Sequence, residues 1–429
     1  MRVLLTSFSV ASHYHNLVPL AWALAAAGHE VRVASQPALT EAILHSGMVP
    51  APVGQDHAIS DLRDHIVNRT GQADVQAPRM PDDMEAPLTW DDVLGFETVA
   101  TSLVLSLINN DPTIDDLVAF TREWQPDLVI WEQLFYAGGI AAHAAGVPHA
   151  RVLWSLDFHE SARRHFLRLR AQQPAAHHED PLAEWLTWTL DRFDTPYADN
   201  VSTGHLTIDA TIPRSMRLPV EPHTIGMRYL PYNGPASVPD WVSEPVDKPR
   251  VCLTLGLTAR EGLGGNAVSV ADLMEAMADL DIELIATLDD DQVAELGGVP
   301  ANTRAVPFVP LHALMPTCSA IIHHGGTGAF GSALINGVPQ LMVADQWDMP
   351  VKARVFAETG AGIFIRPDDL TPEGVRDGVI AMLNEPSYAR EAQRLQREKL
   401  SEPTPAELVA ELEHLALRHR DPVVGPIGG

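Results

Sequence analysis

The sequence predicts an α/β protein built from two parallel-sheet units in tandem, and three observations carry that prediction. Apolar runs alternate with a helical pattern at the start, "RVLLTSF" (2–8), "LVPLAWALAAAG" (17–28) and "HEVRVAS" (29–35), which is the strand–helix–strand unit of a parallel sheet. The same alternation resumes after residue 250. Between the two series, residues 213–249 are dense in proline and aromatic side chains, as in "RYLPYNGPASVPDWVSEPVDKP" (228–249), and read as an interdomain linker. At 429 residues the chain is too long for one compact core and comfortable for two.

Taken in order, Gly28 suits the C-cap of the first helix. "PDLVIWE" (126–132), "YAGGIAAHAAG" (136–146) and "PHARVLW" (148–154) repeat the strand–helix–strand unit. Residues 55–90 break the pattern, and the acidic, proline-rich "GQADVQAPRMPDDMEAP" (71–87) reads as a loop with little packing of its own. A second break, "QQPAAHHEDP" (172–181), gathers His177, His178, Glu179 and Asp180; nothing fixes their mutual geometry, so a solvated turn is expected rather than a metal site. The second series runs through "RVCLTLG" (250–256), "VADLMEAMADL" (270–280), "IELIATL" (282–288) and "TRAVPFVP" (303–310). It continues through "SAIIHH", "PQLMVAD" (339–345), "MPVKARVFAETGAG" (349–362) and "TPEGVRDGVIAMLN" (371–384). The acidic run at 289–291 follows a strand and precedes a helix, so it reads as an N-capping turn. The units are expected at 1–212 and 250–400, with the linker at 213–249 and a helical tail at 401–429 that includes "TPAELVAELEHLALRHR" (404–420).

Hydrophobic residues at 46% and charged residues at 20% are ordinary for a water-soluble globular chain. The formal net charge of −27 repels nucleic acid and anionic membranes, so neither is an expected partner. It also opposes a polyanionic substrate, so any phosphate ligand needs local donors. Cys252 and Cys318 lie in or beside apolar segments and read as core thiols. "MRVLLTSFSVASHYH" lacks a signal-peptide apolar stretch, and no apolar run approaches the roughly 20 residues of a membrane span, so a cytoplasmic location is expected.

The richest motif is "AIIHHGGTGAFGSALINGVPQLMV" (320–343): a buried strand, a glycine turn, a helix and a second strand. Ligands of open α/β sheets sit beyond the carboxyl ends of strands. Glycines admit an anion to the backbone amides, and a helix start adds unpaired donors and partial positive charge. A phosphate is the fitting guest of Gly325, Gly326, Thr327 and Gly328. Adjacent strand residues face opposite ways, so one histidine meets it: His324 is assigned as donor and His323 packs behind. The spacing is neither G-x-G-x-x-G after a first strand nor a P-loop, which disfavours NAD and ATP.

"FVPLHALMPTCSAIIHHGGTGAFGSALINGVPQ" resembles the nucleotide-sugar signature of bacterial family 1 glycosyltransferases, which have the GT-B fold of two Rossmann-like domains facing across a cleft. "SHYHNLVPLAWALAAAGHEVRVASQPALT", "PDLVIWE", "DPLAEWLTWTL", "GMRYLPYNGP" and "RVCLTLGLTARE" likewise resemble the actinomycete enzymes that glycosylate macrolides and anthracyclines. The similarity is greatest to the subgroup that uses dTDP-activated aminodeoxysugars with a helper protein of cytochrome P450-like fold.

The resemblance implies acceptor binding by the first domain, donor binding by the second, inversion at the anomeric carbon by direct displacement, and neither metal nor cofactor. Its catalytic histidine maps to His13, in the turn after the first strand, with His15 as runner-up. A hydroxyl attacks well only when its proton is taken, and histidine titrates near neutrality. Many relatives carry Asp near the end of the "PDLVI" strand; here the nearest carboxylate is Glu132, which either orients His13 or leaves it to act alone. Donor contacts map to Leu257 and Thr258 beside the diphosphate, to backbone near Val309 at the base, and to Asp345 and Gln346 at the sugar hydroxyls. The linker from 227 serves as hinge, the region around 55–120 is the expected helper surface, and a homodimer is left open. Two alternatives remain: a nucleotide-sugar 2-epimerase of the same fold, and a non-catalytic protein that captures the polyketide.

Overall fold

The computed structural model describes residues 1–59, 88–220, 223–245, 247–254, 270–296, 298–344 and 347–419. Two all-parallel sheets organise the chain. The first orders its strands β3-β2-β1-β4-β5-β6-β7: β1 Arg2–Thr6, β2 Glu30–Ser35, β3 Val49–Pro52, β4 Leu128–Glu132, β5 His149–Leu153, β6 Leu206–Asp209 and β7 Thr224–Gly226. The second orders them β10-β9-β8-β11-β12-β13: β8 Arg250–Thr254, β9 Glu283–Thr287, β10 Thr303–Val306, β11 Ala320–His323, β12 Gln340–Val343 and β13 Gly362–Ile365. Each order reverses once, between β1 and β4 in the first sheet and between β8 and β11 in the second. At such a switch point the connections leave in opposite directions and open a crevice beyond the carboxyl ends.

Helices cover both faces of each sheet. Leu5, Val33, Ile130 and Val152 lie in one core of the first domain and Leu4, Val129 and Trp131 in the other, as expected of strands buried on both sides. Cys252 is buried in β8, and burial raises its thiol pKa well above the ordinary value, in keeping with a core thiol. A third cluster joins the domains, bringing Phe158, Phe166 and Ile212 of the first against Phe330, Met342 and Phe356 of the second.

Several expectations shift. β7 lies inside the stretch read as linker and completes the first sheet. A three-residue strand is too short for an alternation pattern. β3, "VPAP", escaped notice because prolines demote a strand; it is an edge strand, where a missing amide costs least. The linker that follows is anchored at both ends, by Met227 in the first core and by Val242 in a core of the second domain. Asp180, read as part of a solvated turn, is buried; it caps helix Pro181–Asp191 and takes Arg163 and Arg170. Asp289 caps helix Asp290–Glu295 reciprocally with Gln292, as its acidic run implied. The loop reading for 71–87 falls outside the described residues.

The last helix among the described residues returns to the first domain. Helix Pro405–Arg418 starts at a Thr404/Glu407 capping box and lays Leu408, Leu412 and Leu415 against Leu17, Leu20 and Leu24. Each such leucine contributes roughly 1.5–3 kcal/mol relative to exposure. Lys399, buried in the last turn of the preceding helix Pro386–Leu400, donates to the carbonyls of Asp209 and Ile212 at 3.2 Å.

Candidate active site

His13 sits in the short helix Ala11–Tyr14 just after β1, and Glu132 is the last residue of β4, so the first switch point brings them together. His13 Nδ1 donates to Glu132 Oε1 at 3.0 Å. The carboxylate side chain is 1% exposed and the imidazole 18%. A carboxylate that deep needs donors. Besides His13, it accepts the indole N–H of Trp154, just past β5, and the Leu134 amide at 3.2 Å. The imidazole stands edge-on to Phe8 at 4.5 Å and to Trp154 at 4.4 Å between ring centroids. Fixed at Nδ1, the ring keeps Nε2 as a proton acceptor. Glu132 is thus in direct hydrogen-bond contact with His13.

His15 faces elsewhere. It packs edge-on to Tyr232 of the linker at 5.0 Å, and burial lowers its pKa to about 4.

The glycine turn lies at the second switch point. His323 is buried, with Nε2 donating to Gln340 Oε1 at 2.8 Å and Nδ1 accepting the Gly325 amide at 3.0 Å. It therefore packs behind and shapes the turn. Gly325 has φ +92°, a conformation side-chain-bearing residues rarely adopt. A Cβ on Gly326 would stand 2.5 Å from His324 Nε2, so the imidazole lies directly against the backbone there. Gly326 is the N-cap of helix Thr327–Leu334, and no side chain caps it. Two buried polar atoms beside it, His324 Nδ1 and Thr327 Oγ1, have no hydrogen-bond partner among the described residues. Uncapped amides beside orphaned polar side chains mark a place built for a ligand with acceptor oxygens. Burial, then the nearby Lys352 charge, lowers the His324 pKa to about 4, so the ring is neutral near pH 7.

Val309 is buried against Leu314, Ile321 and Ala333, at the end of the segment that follows β10. Leu257, Thr258, Asp345 and Gln346 lie outside the described residues. Among the described residues, no cluster of three or more His, Cys, Asp or Glu side chains could hold a metal ion. Trp154 was missed from sequence, although its place at the carboxyl end of the strand beside β4 follows the same edge rule.

Models of the erythromycin biosynthesis protein CIII-like family match the chain twice, its N-terminal domain over residues 22–256 and its C-terminal domain over 271–415. The chain belongs to that family. It is 56% identical to the 10-deoxymethynolide desosaminyltransferase of Streptomyces venezuelae, over 98% of this chain and 99% of that protein. It is 46% identical to the aklavinone 7-beta-L-rhodosaminyltransferase of Streptomyces galilaeus, over 98% and 97% of the two chains. The structure superposes on glycosyltransferase VinC, solved in complex with dTDP, with TM-score 0.86 and 42% identity over 97% of this chain and 100% of that one. This member of the CIII-like family is thus a glycosyltransferase of the GT-B fold, which sets aside the epimerase and auxiliary-protein readings.

Proposed function

We propose that this enzyme moves a deoxysugar, of the aminodeoxy kind, from a dTDP donor to a hydroxyl of a macrolide or anthracycline polyketide during antibiotic biosynthesis. The observation that carries the reading is the pairing of a carboxylate-oriented imidazole at one switch point with an uncapped, histidine-flanked glycine turn at the other. Relatives named for transfer of desosamine and rhodosamine, and a solved relative holding dTDP, support the choice of substrates.

In the proposed reaction His13 Nε2 takes the proton of the acceptor hydroxyl as its oxygen bonds to the anomeric carbon. The bond from that carbon to the diphosphate breaks, and dTDP departs with the electron pair. A single displacement inverts the centre. Glu132 holds the imidazole in the tautomer that accepts at Nε2 and stabilises the imidazolium that forms. Charge gathering on the diphosphate is met by the amides of Gly326, Thr327 and Gly328, the helix start and His324. These are local neutral donors, which suits a chain of net charge −27. The scheme calls on no metal or cofactor. Backbone near Val309 would read the base, Leu257 and Thr258 would lie beside the diphosphate, and Asp345 and Gln346 would accept from sugar hydroxyls.

Cytoplasmic location fits the scheme; among the described residues no helix is long and apolar enough to cross a membrane. The helper protein rests on the subfamily resemblance alone, and full turnover by the purified chain without a companion removes it. A mass-spectrometric screen of dTDP-sugars against polyketide aglycones tests the substrate assignment, and product from a non-deoxy donor alone overturns it.

A further inference from the structure

We propose that Ser155, Asp348 and Lys352 form a buried clamp between the two domains that fixes the His13–Glu132 pair relative to the donor-side turn, acting as positioning residues. The inference rests on the reading of His13 as base.

Ser155 follows Trp154, the residue whose indole serves Glu132 and whose ring flanks His13. Its hydroxyl is buried and donates across the domain boundary to Asp348 Oδ2. Lys352 Nζ donates to the same hydroxyl at 2.9 Å and to Asp348 Oδ2 at 3.3 Å. Asp348 and Lys352 open helix Met349–Glu358, and a Cβ on Gly325 would stand 3.2 Å from Met349 Cβ, so that helix abuts the glycine turn. One hydroxyl therefore ties the residue next to the base pair to the element next to the anion site.

Three features separate this from an ordinary buried ion pair. Asp348 occupies the N-cap of its helix, where aspartate ordinarily accepts a backbone amide, yet it makes no capping bond. Its carboxylate is spent across the domain boundary instead. Trp347, directly before it, is held at φ 54°, a conformation bulky residues avoid unless their surroundings impose it. Lys352 is 1% exposed, and its ammonium lies 5.7 Å from the Phe330 ring in the helix that the glycine turn begins. A local break of the capping rule and a strained backbone at one point mark a site where function outranks local preference.

Ser155→Ala removes the cross-domain tie and leaves the Asp348–Lys352 pair intact. In the full chain, kcat for transfer is expected to fall about 10- to 100-fold, because displacement of reacting groups by about 1 Å costs that order. The donor KM and the Kd for dTDP are expected to stay within about 2-fold, since those contacts lie in one domain. Ser155→Cys, close in volume with a weak S–H donor, is expected to fall between. It carries the test alone if the alanine variant does not fold. A wild-type kcat in either folded variant overturns the proposal, as does a kcat loss matched by an equal loss of dTDP affinity. His13→Ala is the control: if it still transfers sugar, the base assignment is at fault whatever Ser155→Ala does.

Discussion

His13 Nδ1 lies 3.0 Å from Glu132 Oε1 although 119 positions separate the two residues in the chain. Adjacent parallel strands end side by side, so the turn after β1 meets the last residue of β4. His13→Ala is expected to lower kcat about 1,000-fold while dTDP still binds. Loss of nucleotide affinity measured by calorimetry would mean that His13 belongs to the donor site. Glu132→Gln is expected to lower kcat by a smaller factor. Its amide must turn an N–H toward Trp154, Leu134 or His13, each of which already donates.

Gly326→Ala forces the His324 ring away from the turn, because the added Cβ would meet Nε2 at 2.5 Å. Weaker dTDP binding, by about 10-fold or more, is expected with the first-domain base pair untouched. An unchanged Kd would show that the ring's contact with the turn is incidental.

The pH dependence of nucleotide binding separates a neutral donor from a cationic one. The His324 pKa is lowered to about 4, by burial first and the Lys352 charge second. His324 is therefore neutral well before pH 7, and raising the pH further removes no proton from it. The Kd for dTDP is expected to be flat from about pH 7 to 9. A tenfold rise in Kd per pH unit across that window would show that an imidazolium is the binding form.

Glu97 gives a pH-dependent stability test. Burial, opposed by the Arg163 charge, raises its pKa to about 7 from 4.5. A raised carboxylate pKa means that the folded state prefers the protonated form. Its destabilising cost is absent below the unfolded pKa near 4.5, builds as pH rises from there to about 7, and is complete above it. Glu97→Gln is expected to stabilise the protein at pH 8 by about 1–3 kcal/mol and to do nothing at pH 4.5. Thermal melts at the two pH values check this, and equal shifts at both would refute it.

What could be read from sequence follows from how local each signal is. The strand–helix alternation and the linker's proline density are written in neighbouring residues, as is the glycine turn with His323 behind and His324 in front. The partnership of Glu132 with His13 is not, because nothing near either residue names the other; only the sheet order β1-β4 does. Trp154 was hidden as a strand-end aromatic, and Lys352 as one cation in an otherwise readable helix. Asp180 was misjudged because the arginines that bury it, Arg163 and Arg170, lie on another helix. Elements such as β3 and β7 are too short, or too rich in proline, for periodicity to register.

The docking of Leu408, Leu412 and Leu415 on the helix Val18–Ala26 bears on any attempt to recombine this enzyme with its relatives. A hybrid cut only in the linker would place one parent's final helix on the other parent's opening helix. The shuffled product would then carry a mismatched hydrophobic seam, however well each half was chosen. Exchange of first domains calls for two crossovers, the second just before Thr404, so that the helix Pro405–Arg418 travels with the half it covers.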